Sequence, residues 1–75
     1  MILKTMTIND LGCIGTARKL HYKLGNSNYY FYYYKGNSAQ NFVVDEDGNN
    51  ITNKKIGQQI LSSGMNYIFY HDYGV

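Results

Sequence analysis

The sequence has almost none of the covalent or metal-based means by which small domains usually gain stability. Of its 75 residues only Cys13 is a cysteine, so no disulfide can form within the chain, and no Cys-X-X-Cys motif or Cys/His cluster is present to bind zinc. A chain of this length buries only about 60–65% of its unfolded surface. We therefore expect a single α+β domain over residues 1–75 that gains stability by association, as a homodimer or with a permanent partner.

Strong charge and long apolar runs are also lacking. Seven basic and five acidic residues leave a net charge of +2, far from the bias of a DNA-coating protein. No apolar run of about 18 residues is present to span a membrane, and Met1–Lys4 meets a charge too early for a signal peptide. A lone thiol fits a reducing compartment, so a cytoplasmic location is expected. The absence of proline and the heavy use of Asn, Lys, Ile and Tyr suit an AT-rich genome, such as that of a low-GC bacterium or its phages.

Aromatic residues, by contrast, are abundant and concentrated. Six of them run from Tyr29 to Tyr34 between two Gly-Asn-Ser turns, a pattern that predicts a β-strand. Because side chains alternate along a strand, Phe31 shares one face with Tyr29 and Tyr33. The other face carries Tyr30, Tyr32 and Tyr34. Phe31 has no polar group, so its face is predicted to be the core.

The segments on either side predict two further strands. From Lys19 to Leu24, Lys and His alternate with apolar residues, which indicates a half-buried strand with a basic outer face. Residues Gln40–Asp45 predict a third strand, with Phe42 assigned to the core and Val43 to the outer face. Short turns between such strands favour antiparallel hairpins and hence a three-stranded meander.

The two ends of the chain predict helices. Thr7 and Asp10 resemble a helix cap, so a short helix ending near Ala17 is expected, although Gly12 and Gly15 disfavour it and a strand over Ile14–Leu24 competes. Residues Met1–Ile8 are read as an edge strand or an unpaired arm.

After Thr52-Asn53 a second helix, Lys54–Ser63, is predicted to end at Gly64. Met65–Tyr70 is then expected to form a C-terminal strand, with a last helical turn as the alternative. The predicted fold is therefore α+β: a helix, a three-stranded antiparallel meander, a helix and a C-terminal strand.

No residue set predicts catalysis, a metal or a cofactor. Asp45-Glu46-Asp47-Gly48 superficially resembles a calcium loop, but with Asp45 at position 1 the required glycine at position 6 falls on Asn50, so a polar turn is expected. Four residues are of the types that form a nucleophilic catalytic site, namely a thiol, two imidazoles and a carboxylate: Cys13, His21, His71 and Asp72. Nothing in their spacing brings these together, and the chain is predicted not to be an enzyme.

The remaining candidate is a surface on the outer face of the sheet. It would combine basic side chains with tyrosines: Lys19, His21, Lys23, Tyr30, Tyr32 and Tyr34. Such a face can form the aromatic centre of a protein interface, or stack nucleobases while lysines contact phosphates. A third reading is that the N-terminal segment or a second copy of the chain covers it.

Two resemblances bear on function. The predicted order of helix, three strands and helix is similar to the double-stranded-RNA-binding fold, although Lys54 and Lys55 echo its lysine cluster only in part. Ile8-Asn9-Asp10-Leu11 followed by Lys23-Leu24 resembles the small anti-CRISPR proteins of Listeria phages, over roughly residues 6 to 47. That resemblance implies a phage-encoded inhibitor that occupies the DNA-binding surface of a host defence nuclease. Its contacts would centre on the tyrosines and on Asp45, Glu46 and Asp47.

This sequence departs from those inhibitors in charge. They imitate DNA with many acidic side chains, whereas here only five residues are acidic and the balance is positive. The function predicted is a non-catalytic binding protein that inhibits or adapts a macromolecular machine through an aromatic sheet surface. The alternative is a small nucleic-acid-binding protein that uses the same Lys/Tyr face.

Overall fold

In the part of the chain that the structure describes, a four-stranded antiparallel sheet is followed by one helix. The structure, a computed structural model, describes residues 6–71. The strands are consecutive both in the chain and in the sheet, in the order β1-β2-β3-β4. Their bounds are β1 Met6–Ile14, β2 Ala17–Leu24, β3 Ser27–Tyr34 and β4 Phe42–Asp45, and the helix is α1 Lys55–His71. A short 3-10 turn, Ser38–Gln40, lies between β3 and β4.

Two-residue turns set the register of the first three strands. Gly15-Thr16 joins β1 to β2 and Gly25-Asn26 joins β2 to β3, and both glycines have positive φ, 66° and 63°. Glycine in this conformation at the first turn position matches the right-handed twist of a hairpin. The predicted hairpin around the aromatic segment therefore forms, with Leu20 of β2 opposite Phe31 of β3.

The predicted N-terminal helix is wrong, because residues 6–14 form strand β1. The glycines that disfavoured a helix have other uses here: Gly15 lies in the turn, and Gly12, with φ of 77°, lies in a bulge between Asp10 and Cys13. Asp10 accepts a hydrogen bond from the Gly12 amide at 2.9 Å, as part of this bulge and not as a helix cap. The competing strand over Ile14–Leu24 is also wrong at its start, since the chain turns before Ala17. Of the segment Met1–Ile8, residues 1–5 lie outside the described residues.

The C-terminal half is also different from the prediction, because α1 runs without interruption from Lys55 to His71. The predicted helix end at Gly64 and the strand Met65–Tyr70 are both wrong. The buried positions of α1 recur every three or four residues: Gly57, Ile60, Gly64 and Ile68. A Cβ at Gly64 would lie 2.6 Å from Cε2 of Phe31. Glycine stands there because the helix approaches the sheet closely, and not because the helix ends.

The core lies between α1 and the inner face of the sheet. Leu20, Phe31 and Val43 lie side by side across three strands and are fully buried. The other members of the cluster are Tyr22, Ile51, Ile60 and Ile68. Val43 was assigned to the outer face and Phe42 to the core, and the register reverses both: Val43 pairs with Phe31, and Phe42 pairs with Tyr32. In a four-residue strand, pairing with β3 and not composition decides which side chains face inward.

One ionisable group in this core predicts a loss of stability at high pH. Burial raises the pKa of the Tyr22 phenol, whose hydroxyl donates to Ser63 Oγ at 3.2 Å. In the unfolded chain the phenol ionises near its usual pKa of about 10. Its contribution to stability is therefore complete below about pH 10 and is lost as pH rises through the higher pKa of the folded state.

We expect Tyr22→Phe to lose stability more slowly than the parent protein as pH rises above about 10. At neutral pH the variant should be less stable by about 1 kcal/mol, because the hydrogen bond to Ser63 is lost. Urea denaturation at a series of pH values measures both effects. Tyr30→Phe, on the opposite face of the sheet, is the control for the loss of a tyrosine hydroxyl outside the core. An unchanged alkaline slope in Tyr22→Phe contradicts the assignment.

Candidate protein-docking face

The residues singled out from the sequence lie on the sheet face opposite the helix. Lys19, His21 and Lys23 of β2 stand opposite Tyr32, Tyr30 and Asn28 of β3. Beyond β3, Phe42 and Val44 of β4 complete this outer face. Because α1 packs on the inner face, no element within residues 6–71 covers the outer one. The alternation read from β2 and β3 thus places these side chains together.

The rings of the outer face contact one another across the strands. His21 stacks on Tyr30 with 5.1 Å between ring centroids, and Tyr32 stacks on Phe42 at 4.6 Å. Tyr34 lies 6.3 Å from Phe42 in a similar orientation. These five residues are called the aromatic row below. Stacked pairs at such distances are worth about 0.5–1.5 kcal/mol beyond their buried area, so the stacking favours this arrangement of the rings.

Lys19 joins the two halves of the aromatic row. Its Nζ lies 4.8 Å from the ring centroid of Tyr30 and 5.1 Å from that of Tyr32, within the range of a cation–π interaction. Tyr30 and Tyr32 therefore each contact both a neighbouring ring and an ammonium group. Much of the ring surface is engaged within the protein, and the groups left for a partner are the ring edges and the tyrosine hydroxyls.

The acidic turn at residues 45–47 lies at the end of β4 and has its own internal structure. The Asp45 carboxylate accepts hydrogen bonds from the amides of Asp47 and Asn49, each at 2.9 Å. Both hydrogen bonds lower the pKa of the Asp45 carboxyl below its usual value, and the bond from the Asn49 amide has the larger effect. Asp45 thus stabilises the turn, whereas Glu46 and Asp47 are exposed.

Asn28 connects this turn to the aromatic row. Its Nδ2 donates to Glu46 Oε1 at 3.2 Å, which directs its Oδ1 towards His21 Nε2 at 2.8 Å. His21 Nε2 is then the donor of that bond. The basic and acidic parts of the predicted site are therefore adjacent, and Glu46 lies at one end of the row. Asn28 is not among the predicted site residues and Phe42 was predicted to be core, because no local signal marks either as part of this face.

The hypothetical nucleophilic set does not assemble. Cys13 is exposed on β1 opposite Arg18, and His21 is engaged with Asn28. His71 stacks on Tyr67 at the end of α1, with its Nδ1 2.9 Å from the Tyr67 carbonyl oxygen. Asp72 lies outside the described residues. In the part of the chain that the structure describes, no three His, Cys, Asp or Glu side chains are grouped to hold a metal ion.

Comparison of this chain with protein-family models, curated proteins and solved structures gave no match. The function proposed for the outer face therefore depends on its geometry and chemistry. Between residues 6 and 71 no helix has both the length and the apolar character needed to cross a membrane.

Proposed function

We propose that the protein is a non-catalytic binding protein that docks on a partner protein through its outer sheet face. The observation that carries the proposal is the aromatic row, which lies on the one sheet face that α1 does not cover. Rigid tyrosines at the centre of a face, with charged groups at its rim, are the composition of a protein interface. Here Lys23 and Glu46 supply opposite charges near the same end of the row.

The stacking within the row favours this function over nucleic-acid binding. Single-strand binders present open ring faces on which successive bases stack. Tyr30 and Tyr32 already contact neighbouring rings and the Lys19 ammonium group, so a base would have to displace one of these. Glu46 beside Asn28 also places a negative charge where a phosphate backbone would pass.

The action we propose for this docking is to inhibit or adapt a macromolecular machine. A chain of this size acts most simply by covering a surface of its partner. A phage anti-defence role of the anti-CRISPR type is one such action, and the adjacent acidic turn and aromatic row support it: Glu46 and Asp47 are exposed and able to contact a basic, DNA-binding surface. We place this action in the cytoplasm of the host cell, where such machines are found.

Tyr32→Ala is the direct test of the docking face. Tyr32 lies near the middle of the row, and truncating a central interface tyrosine costs about 2 kcal/mol, which is roughly a 30-fold loss of affinity. The protein should be used to isolate its partner from the native host. The partner is then identified, purified and titrated with the parent, Tyr32→Ala, and Tyr70→Ala, which removes an exposed ring from the helix.

The docking face predicts that only Tyr32→Ala weakens binding, and that the affinity falls less steeply with salt than nucleic-acid binding does. Equal affinity of Tyr32→Ala and the parent, with the variant still folded, contradicts the docking face. A partner that is single-stranded nucleic acid, with affinity falling steeply as salt rises, would instead establish the alternative function. Inhibition of the partner's own activity, measured in the same titration, tests the action separately from the binding.

A further inference from the structure

The two edge strands of the sheet differ in whether their outward main-chain groups have hydrogen-bond partners. Along β4, the segment that follows the acidic turn folds back on the strand: Val44 bridges to Asn50, and the Ile51 amide donates to the Val43 carbonyl at 2.8 Å. The Thr52 hydroxyl also accepts from the Val43 amide at 2.9 Å. The outward main-chain groups of β4 are therefore largely used. This edge is closed.

The β1 edge has no partner among the residues that the structure describes. Within residues 6–71, β1 pairs only with β2. In an antiparallel sheet the residues of a strand alternate in the direction of their main-chain groups. The two-residue turn makes Leu24 and Ser27 a hydrogen-bonded pair between β2 and β3. Because the direction alternates along β2, the main-chain N–H and C=O groups of Lys23 and His21 point to β1, where they face those of Thr7 and Asn9. The main-chain groups of Met6, Ile8 and Asp10 therefore point away from the sheet.

Little in the composition of β1 prevents it from pairing with another strand. Natural edge strands are usually blocked by lysine, proline or a bulge, and β1 contains neither lysine nor proline. Its bulge at Leu11-Gly12 leaves the straight part Met6–Asp10 unaffected. The one ionisable carboxylate in that part, Asp10, is neutralised within the chain by Arg18 and receives a hydrogen bond from the Tyr67 hydroxyl at 3.1 Å. Ile8 is 37% exposed on this edge.

We propose that a second copy of the chain pairs with this edge, so that two β1 strands run antiparallel about a two-fold axis at Ile8. In this register Ile8 lies beside Ile8 of the other copy, and Met6 of each copy lies opposite Asp10 of the other. The two Asp10 carboxylates are kept apart, so no like charges meet. The outward groups of three residues in each copy form about six main-chain hydrogen bonds. The two sheets become one of eight strands.

The geometry of this dimer has a consequence for the outer face. A two-fold axis between antiparallel edge strands is perpendicular to the sheet, so both aromatic rows lie on the same side, and both helices on the other. The paired segment of five residues is about 17 Å long, shorter than a standard interface requires. The dimer is therefore expected to be weak. It does not depend on the docking function proposed above.

Ile8→Pro tests the pairing. Because the Ile8 amide points away from β2, proline removes two hydrogen bonds between the copies, one from each Ile8 amide, and none within the chain, and proline is tolerated at such edge positions. Sedimentation equilibrium over a dilution series should show a monomer–dimer equilibrium for the parent and for Ile8→Val, which keeps the amide. Ile8→Pro should be monomeric at every concentration, with an unchanged far-UV circular dichroism spectrum.

Two further measurements keep the test decisive if Ile8→Pro does not fold. Ile8→Lys keeps the amide but brings two ammonium groups together at the axis, so it should be monomeric at low salt. In the parent, hydrogen exchange at the Ile8 and Asp10 amides should slow as concentration rises. A parent that is monomeric throughout, or a dimer that persists in folded Ile8→Pro or in Ile8→Lys, overturns the proposal. A dimer lost in folded Tyr32→Ala but kept in Ile8→Lys would also overturn it, since the outer face would then join the copies.

Discussion

Gly57→Ala should destabilise the protein by about 1–3 kcal/mol or more, although alanine is the better helix former by about 1 kcal/mol. The reason is that no space is left for a side chain at this position, in the first turns of α1. A Cβ added to Gly57 would overlap the carbonyl oxygen of Ile51 and lie 2.6 Å from the carbonyl carbon. It would also lie 3.1 Å from Cα of Thr52. These are main-chain atoms, so no side-chain rotation relieves the clash, and the helix must move away from the core.

Urea denaturation followed by circular dichroism measures this effect. Ser62→Ala is the matched control, because Ser62 is exposed on the same helix and the change carries only the difference in helix propensity; it should leave stability unchanged or slightly raised. Gly64→Ala should also destabilise the protein, since its Cβ would lie 2.6 Å from Cε2 of the fully buried Phe31 ring. A Gly57→Ala protein as stable as Ser62→Ala would show that α1 does not pack against residues 51 and 52 in this way.

Phe31→Ala should cost about 3–5 kcal/mol of stability, the largest effect expected of a side-chain truncation in this protein. Phe31 is fully buried between Leu20 and Val43, and the close approach of α1 at Gly64 leaves its ring under the helix. A large void would remain where the ring is removed. Because small domains have only a few kcal/mol of net stability, we expect a large fraction of the variant to be unfolded at room temperature.

The neighbouring residue provides the comparison. Tyr32 is next to Phe31 in the same strand but is directed to the outer face, where it stacks on Phe42. Tyr32→Ala should therefore cost much less stability than Phe31→Ala, and Phe31→Leu, which keeps part of the buried volume, should lie between them. Thermal and urea denaturation of the three variants decide the order. If Tyr32→Ala unfolds the protein as severely as Phe31→Ala, both sheet faces are core and the docking face is wrong.

The central hairpin and much of the candidate site could be predicted from the sequence. Aromatic residues between two Gly-Asn-Ser turns define β3, and the alternation of β2 assigns Leu20 inward and Lys19 outward. Both signals are local, since side-chain direction in a strand follows from chain geometry alone. Together they placed Lys19, His21, Tyr30, Tyr32 and Tyr34 on one face. That this face binds a partner stays a prediction.

The tertiary structure decided whatever depended on pairing between distant segments. Residues 7–10 carry a helix-cap pattern, but β2 offers β1 main-chain hydrogen-bond partners along its length, and this pairing outweighs a weak local preference. Phe42 and Val43 are both apolar, so only the pairing of β4 with β3 could assign one to each face. Asn28 reaches Glu46 only because that same pairing brings their strands together.

Gly64 shows the same limit in the helix. As a sequence signal, glycine after an apolar stripe marks a helix end, whereas here it sits in the middle of α1. The ring of Phe31, 33 positions earlier in the chain, occupies the place of its side chain. The sequence by itself determined the strands and turns whose signals lie within a few neighbouring residues. The open edge of β1 within residues 6–71, the place of a glycine in the middle of α1 and the assignment of Phe42 to the aromatic row come from contacts between segments far apart in the chain, and no local pattern encodes these.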